Sequence, residues 1–169
     1  MNRRMFLLSV LIMISLIATD NLFVSAKPER AEFSGRVLMT ELPSPGKCIY
    51  PDRLQICRNR ELVMQFDTNE VRMTGEATFV FDSLYTKAPY AGRAYGIFHL
   101  ESSGGSWDGN WKGFTNVRGN TLFIGEGHGS GGYDGLVIRW QMERSGSSWL
   151  TPMSLSGTIA GADQRTNRR

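Results

Sequence analysis

Apolar and polar residues alternate with a period of two along almost the whole chain that follows residue 26. The clearest run covers residues 71–85, and residues 60–68 alternate in the same way. A period of two is typical of a strand that buries one face and exposes the other. The pattern therefore predicts a protein built from β-strands. In the 71–85 run, the side chains on the apolar face are Val71, Met73, Gly75, Ala77, Phe79, Phe81 and Tyr85.

Turn signals rich in Gly, Pro, Ser and Asn, such as PSPG, SSGG, VRGN and GSGG, divide the alternation into eight or nine strands. Regular spacing of this kind predicts an all-β domain, either a single antiparallel β-barrel of about eight strands or a β-sandwich. Glycines recur inside the strands, where they permit the bends that closure of a barrel needs, so the barrel is favoured. The further candidate strands are 31–41, 47–57, 92–102, 107–115, 120–127, 133–144 and 149–160.

The segment GGSWDGNWKGF, residues 104–114, places two tryptophans among glycines. Trp107 and Trp111 share a strand face with Gly105, Gly109 and Gly113, and the other face is polar. Large rings over a strongly curved, glycine-rich strand are a packing device, which predicts that both tryptophans face the core. The alternative is that the two rings form an exposed platform that stacks on a sugar.

The segment GEGHGSGGYDGL, residues 125–136, predicts a hairpin. Its two strands would be 120–127 and 133–143, with the turn near 129–132, where glycines permit positive φ angles. The ring of Tyr133 is expected to lie on neighbouring strand backbone, in room left by Gly127 and Gly135. A phosphate-binding loop would need a helix after the glycines, whereas LVIRWQMER reads as a strand.

The first 26 residues have the organisation of a secretory signal peptide: a basic MNRR, an apolar MFLLSVLIMISLIA, and a small-residue VSA. The polar residues 19–21 interrupt the apolar run before it reaches the length that spans a bilayer. We therefore predict cleavage near Ala26, a secreted or periplasmic protein without a stable transmembrane segment, and a barrel domain over residues 27–162. The basic residues 163–169 have nothing apolar to bury and are predicted to form a disordered tail.

The two cysteines, Cys48 and Cys57, are predicted to form a disulfide. Export places them in an oxidising compartment, and a turn centred on Asp52 and Arg53 would set them opposite each other on a hairpin. A metal site is the alternative, but two cysteines with only the isolated residues His99 and His128 make a poor ligand set. No metal and no cofactor are therefore expected.

Charge excludes one class of partner. The net charge is +3, and it falls to +2 without Arg3, Arg4 and Asp20 of the leader. A charge this small does not point to nucleic acid, whose binding rests on many phosphate contacts.

Two glycine motifs resemble those of a known group of barrels. The run from Gly127 to Gly135 resembles the G-x-G-x-(aromatic)-x-G turn of allene-oxide-cyclase-like and dirigent-like proteins. The run from Gly105 to Gly113, G-x-W-x-G-x-W-x-G, is similar to one found with it in small secreted bacterial proteins. The resemblance covers about residues 92–160 and implies an eight-stranded antiparallel barrel with an interior cavity. It carries over no activity, because the catalytic residues of those plant families do not match positions here.

Three functions are compatible with the chain. The first is a secreted, non-enzymatic barrel that binds a small apolar or amphipathic molecule. The second is a cyclase or isomerase whose cavity imposes substrate shape. The third is a module that recognises carbohydrate or protein through exposed tryptophans. Candidate ligand contacts are Trp107, Trp111, Tyr133, Trp140, Arg139 and Glu143.

The candidate acids and bases are few, so an enzyme is not favoured. A cyclase would need one of them inside the barrel, and the options are Glu76, His99, Glu101 and Glu143. His128, with Glu126 and Asp134 nearby in sequence, is a general-base candidate, although a surface histidine is the simpler interpretation. On the strand predicted over residues 133–144, Tyr133, Arg139, Gln141 and Glu143 share one face. Burial of Trp140 on the other face would leave them in solvent, whereas a polar cavity would make Arg139 and Glu143 ligand contacts.

Overall fold

The computed structural model describes residues 30–87, 91–146, 148 and 151–162. Within them, nine strands account for most of the chain, and Val71–Met73 form one 3-10 helix. The strands are β1 (Ala31–Ser44), β2 (Lys47–Ile49), β3 (Leu54–Thr68), β4 (Gly75–Thr86), β5 (Gly92–Ser102), β6 (Gly105–Thr115), β7 (Thr121–Gly131), β8 (Leu136–Arg144) and β9 (Met153–Gly161).

Eight of these strands close into an antiparallel β-barrel, as the sequence predicts. From β3 to β9 each strand pairs with the next, and β1 closes the ring by pairing with both β9 and β3. The remaining strand, β2, pairs with β3 alone. Closure removes the free edges that would invite aggregation, and it rules out the β-sandwich alternative.

The barrel interior is a continuous core of inward-facing side chains from all eight strands. The alternation predicted from the sequence sets which residues face inward, and glycines at inward positions leave room for large rings. The largest fully buried side chains include Trp107, Phe66, Phe79, Met73, Leu100 and Ile138.

The predicted strand over residues 71–85 begins later than its alternation indicates. Residues Val71–Met73 form the 3-10 helix, in which the backbone N–H of Arg72 donates to the side chain of Glu70. Val71 consequently points into solvent with 64% of its surface exposed, while Met73 is fully buried. Residue 73 faces inward both in a β-strand and in this single 3-10 turn. The apolar pattern therefore could not distinguish a strand from a helical turn here.

The two ends of the barrel differ. At one end, which we call the 3-10 end, the 3-10 helix lies beside the turns at 103–104 and 132–135. At the other, which we call the arginine end, lie the connections after β2, β4, β6 and β8. The inward side chains there include two guanidinium groups and several hydroxyls, Arg60, Ser83, Tyr85, Thr115, Thr121 and Arg144.

The glycine-rich hairpin forms, but its turn lies later than predicted. Pairing with β6 extends β7 as far as Gly131, so the turn comprises 132–135 and β8 starts at Leu136. Gly135 has a φ of +77°, and a Cβ there would meet no atom within 4 Å. The predicted packing role of Gly135 is therefore wrong, and glycine is required there for its backbone conformation.

The disulfide between Cys48 and Cys57 is confirmed. The two residues are direct partners across β2 and β3. The turn between them is centred as predicted, with the backbone N–H of Leu54 donating to the carbonyl of Pro51 at 2.9 Å.

The predicted signal peptide, residues 1–26, and the predicted tail, residues 163–169, lie outside the described residues. Within the described part of the chain, no helix is long and apolar enough to cross a membrane.

Candidate functional site

Two of the predicted ligand contacts, Trp107 and Tyr133, close the 3-10 end. Their rings stack with centroids 5.0 Å apart. The indole N–H of Trp107 donates to the carbonyl of Arg72 at 2.7 Å. The Tyr133 hydroxyl lies 2.7 Å from Ser102 Oγ and accepts from the backbone N–H of Gly104 at 3.1 Å. These hydrogen bonds tie the 3-10 helix and both turns together, which is a structural role.

Tyr133 does lie against strand backbone, but the room comes from other glycines than those predicted. A Cβ on Gly104, Gly105 or Gly129 would crowd Tyr133, whereas Gly127 and Gly135 do not contact it. Because Tyr133 is in the turn, it faces inward and does not share a strand face with Arg139 and Glu143, as the sequence had suggested.

Two further predicted ligand contacts, Trp111 and Trp140, occupy the middle of the barrel. Trp111 and Trp140 meet the ring of Phe79 edge to face, with centroids 5.6 and 6.1 Å away. Trp107 and Trp111 are both buried, with 0% and 7% of their surface exposed. The packing interpretation is confirmed, and the alternative of an exposed tryptophan platform is wrong.

The family resemblance implies an interior cavity. Among the described residues, a void of about 20 Å³ lies between the inward side chains near Arg60, Tyr85 and Trp111. That is enough for one water-sized guest and not for a drug-sized ligand, which needs several hundred Å³. A ligand of that size does not fit this void.

The candidate acids and bases lie on the outer face of the barrel. Glu76, Glu101 and Glu143 are exposed, and His99 is partly exposed. None of the four faces the interior, because inward and outward positions alternate and each of these residues has an outward parity, so they do not meet the requirement of the cyclase hypothesis. A cyclase built on an interior acid or base thus has no support.

His99 is held between two carboxylates on this outer face. Its Nδ1 lies 2.7 Å from Asp108 Oδ1 on β6, and its Nε2 lies 2.7 Å from Glu101 Oε1 on its own strand. The hydrogen bonds to Asp108 and then to Glu101 raise the pKa of His99 above its usual 6.5. With both ring nitrogens donating, the imidazolium has no free lone pair for general-base catalysis.

His128 lies on β7, directly opposite Asp108, and its side chain is exposed. Glu126, the nearest carboxylate in sequence, pairs instead with Arg139, whose Nε is 2.6 Å from Glu126 Oε2. Within the described residues, no carboxylate forms a hydrogen bond with His128, so the hypothesis that His128 is a general base has no support from such a contact. Arg139 is likewise engaged in an exposed ion pair.

An apolar groove of about 350 Å³ runs over the outer face of β5, β6 and β7 toward the arginine end. Its floor comprises Tyr95, Phe114, Leu122 and Ile124, all of them substantially exposed. Cross-strand register brings them together, because Tyr95 is opposite Lys112, Lys112 opposite Ile124, and Phe114 opposite Leu122. Exposed apolar residues in one contiguous patch are a mark of a binding surface.

Charges flank the groove asymmetrically. Arg93 on β5 and Lys112 on β6 line it, and neither forms an ion pair with the described residues. At the opposite edge, Glu143 on β8 faces Leu122 across the strand pair. The side of the groove formed by β5 and β6 is therefore positively charged, and the side next to β8 is negatively charged.

The floor of the groove has one side chain fixed by neighbours. The Tyr95 hydroxyl accepts a hydrogen bond at 3.1 Å from the guanidinium of Arg58, which also pairs with Asp82. The ring of Tyr95 is thus oriented before a ligand arrives.

This groove was not predicted, although the sequence contains a signal for it. Apolar residues occupy outward positions, where the strands otherwise carry polar residues, at Tyr95, Ile97, Phe114, Leu122 and Ile124. They look like scattered exceptions along the chain, and only the strand register shows that four of them form one surface. Among the ligand contacts predicted from the sequence, Glu143 alone borders it.

Within the described residues, no group of three or more His, Cys, Asp or Glu side chains is arranged to hold a metal ion. Comparison of the chain with models of protein families, with curated proteins and with solved structures finds no match. The fold defines the protein as a closed antiparallel β-barrel, and its function has to be argued from its own surface.

Proposed function

We propose that this is an exported, non-enzymatic binding protein for small amphipathic anions, and that the ligand lies in the outer groove. The apolar part of the ligand would cover Tyr95, Phe114, Leu122 and Ile124. Its anionic group would pair with Arg93 and Lys112. The observation that carries the proposal is an exposed apolar floor bordered by two cations that no described carboxylate neutralises.

The size and composition of the groove support this proposal. Its volume of about 350 Å³ is within the range of small-molecule sites, about 300–1,000 Å³. Phe114 keeps 58% of its surface exposed, and covering such side chains is favourable by about 25 cal/mol per Å² of apolar surface. A short alkyl or aromatic group is the chemistry that gains most from that floor.

The charges around the groove favour a negatively charged ligand and determine which way its headgroup points. A carboxylate or sulfonate gains attraction from Arg93 and Lys112, whereas an ammonium group does not. Glu143 at the far edge repels an anion there, so the headgroup is expected over β5 and β6, with the apolar part extending toward β8. A carbohydrate lacks the apolar surface that this floor would cover.

The experiment is a calorimetric titration of the mature protein with dodecanoate below its micellar concentration. We expect binding that weakens by about tenfold in Phe114→Ser, equivalent to about 1.4 kcal/mol, and similarly in Arg93→Gln. Ile49→Ser is the matched control, because Ile49 is equally exposed but lies on β2. Dodecyltrimethylammonium should bind less tightly than dodecanoate.

Two outcomes would contradict the proposal. One is an affinity for dodecanoate that is the same in Phe114→Ser as in the unchanged protein. The other is a dimer that dissociates in Phe114→Ser while no dodecanoate binds, which would assign the groove to a second copy of the chain.

A further inference from the structure

A β-bulge changes the direction of β3 at the arginine end. Cys57 is opposite Ser83 and Arg60 is opposite Phe81, so β3 contains one residue more than β4 between these pairs. Asn59 in the bulge has a φ of +52°, a conformation that asparagine tolerates better than most residues. Bulges commonly re-aim a side chain next to a functional site.

The outer carboxylate of Asp82 stabilises the bulge. Its Oδ1 accepts from the backbone N–H of Asn59 at 3.0 Å, and its Oδ2 accepts from the guanidinium of Arg58. These two hydrogen bonds to Asn59 and Arg58 lower the pKa of Asp82, so the carboxylate stays charged at neutral pH. The bulge is thus supported by a dedicated side chain.

The bulge turns Arg60 into the barrel. Cys57 faces inward, so unbroken alternation would have placed residue 59 inward and Arg60 outside. Instead, the guanidinium carbon of Arg60 lies over the ring of Phe81, 5.4 Å from its centroid. The Nε of Arg60 is buried and makes no hydrogen bond with the described residues. The side chain as a whole is half-buried, but a buried donor atom without a partner is costly, and an anion would offset that cost.

The surroundings of Arg60 are cationic or neutral. Arg144 donates to the Thr121 hydroxyl at 3.2 Å. Burial raises the pKa of Tyr85, which keeps its phenol uncharged. The buried charged and polar residues of the described chain at this end include no Asp or Glu. The interior here has positive charge and no described negative group.

The void of about 20 Å³ is lined by Arg60 and Tyr85 and otherwise by apolar side chains, among them Phe81 and Trp111. Ser83 does not line the void itself, but it lies between two residues that do, Phe81 and Tyr85, on the inward face of β4. It is 3% exposed, and its hydroxyl makes no hydrogen bond with the described residues. A second buried donor therefore lies next to the lining residues, and the volume admits a guest the size of one water molecule.

We propose that this void binds a small monovalent anion of about the size of chloride, with Arg60 Nε as its principal donor and the Ser83 hydroxyl as a second. The site is inside the barrel, on the other side of the sheet from the outer groove, and it does not depend on the function proposed for that groove. A hydrogen bond from a guanidinium to an anion is among the strong ones in proteins.

Thermal unfolding of the mature protein in sodium chloride and in sodium gluconate, at equal ionic strength, tests this site. Gluconate is too large for the void. Chloride at tenfold excess over its Kd should raise the Tm by roughly 4 °C relative to gluconate. Arg60→Met should lose this difference and Ser83→Ala should reduce it. Arg36→Met, an outer-face variant on β1 with the same change of charge, should keep it.

Crystals grown with bromide in place of chloride locate the anion by its anomalous signal. A peak within hydrogen-bond distance of Arg60 Nε is expected, and this measurement needs no variant to fold. The proposal is overturned by an equal chloride response in Arg60→Met and the unchanged protein, or by no bromide in the void. It is also overturned if phosphate alone raises the Tm.

Discussion

The two ends of the barrel interior are filled by different chemistry. At the 3-10 end, Trp107, Tyr133 and Met73 are buried, and their few polar atoms have backbone or hydroxyl partners. At the arginine end, the inward layer includes Arg60 and Arg144 as well as hydroxyls, and two of its buried donors, Arg60 Nε and the Ser83 hydroxyl, make no hydrogen bond with the described residues. The two ends therefore differ in how far the described residues satisfy their buried polar atoms.

The difference indicates how stability and function divide in this molecule. Stacked rings and satisfied hydrogen bonds stabilise the fold and leave nothing for a ligand to complete. A buried donor such as Arg60 Nε, which makes no hydrogen bond with the described residues, destabilises the free protein slightly and becomes favourable when a ligand supplies a partner. The outer groove also approaches the arginine end, so both candidate binding sites lie toward the same half of the barrel.

Truncation at the 3-10 end should have the largest effect on stability. We expect Trp107→Ala to lower the free energy of unfolding by about 3–5 kcal/mol, since it removes a fully buried ring. Thr121→Val at the arginine end removes a hydroxyl that forms hydrogen bonds with Thr115, Gly119 and Arg144, and should cost about 1–3 kcal/mol. Urea unfolding of the two variants measures the contrast. Equal losses would show that the two ends contribute alike.

The alternation of the sequence was sufficient to predict the barrel, because closure needs only strands of the right parity and length. It did not predict the bulge at residues 58–59, since an asparagine with positive φ leaves no periodic signature. Arg60 has the same parity as Leu62, Met64 and Phe66, but nothing in the alternation identified it as an inward-facing charge. The turn near Tyr133 was predicted too early in the chain, because consecutive glycines fit a turn at several positions equally well.

The candidate site was less predictable than the fold. The sequence identifies Trp107, Trp111 and Trp140 as large rings at inward parity, and this part is confirmed. The outer groove depends on the register between β5, β6 and β7, which brings Phe114 beside Leu122. Register is set by the positions of the turns, and an error of one residue would have moved these side chains to the other face.

Loss of the disulfide should have the next largest effect and should act at the arginine end. Replacing both Cys48 and Cys57 with alanine is expected to lower stability by about 2–3 kcal/mol, because the short loop is no longer closed in the unfolded chain. Urea unfolding with and without a reductant measures this. The reductant should destabilise the unchanged protein and leave the double variant unaffected. Similar sensitivity in both would refute the assignment.

The smallest expected effect lies on the outer face near the 3-10 end, at His99. Its raised pKa means that its ion pairs stabilise the fold fully below about pH 6.5 and are lost as pH rises through the raised value. The pairs are exposed, so the loss should be about 0.5–1 kcal/mol. Urea unfolding at about pH 5.5 and pH 9.5 should show it. His99→Gln should flatten the dependence, whereas His128→Gln should not.

The most direct test of the account asks whether ligands contact the outer groove or the interior. Amide spectra of the labelled mature protein, recorded with dodecanoate that has a nitroxide at its apolar end, report which residues lie near the spin label. We expect selective broadening at Phe114, Leu122 and Ile124, with Val37 on β1 and Phe66 on β3, across the barrel from the groove, unaffected. Broadening centred on the inward residues around Phe79, with the groove unaffected, would contradict it.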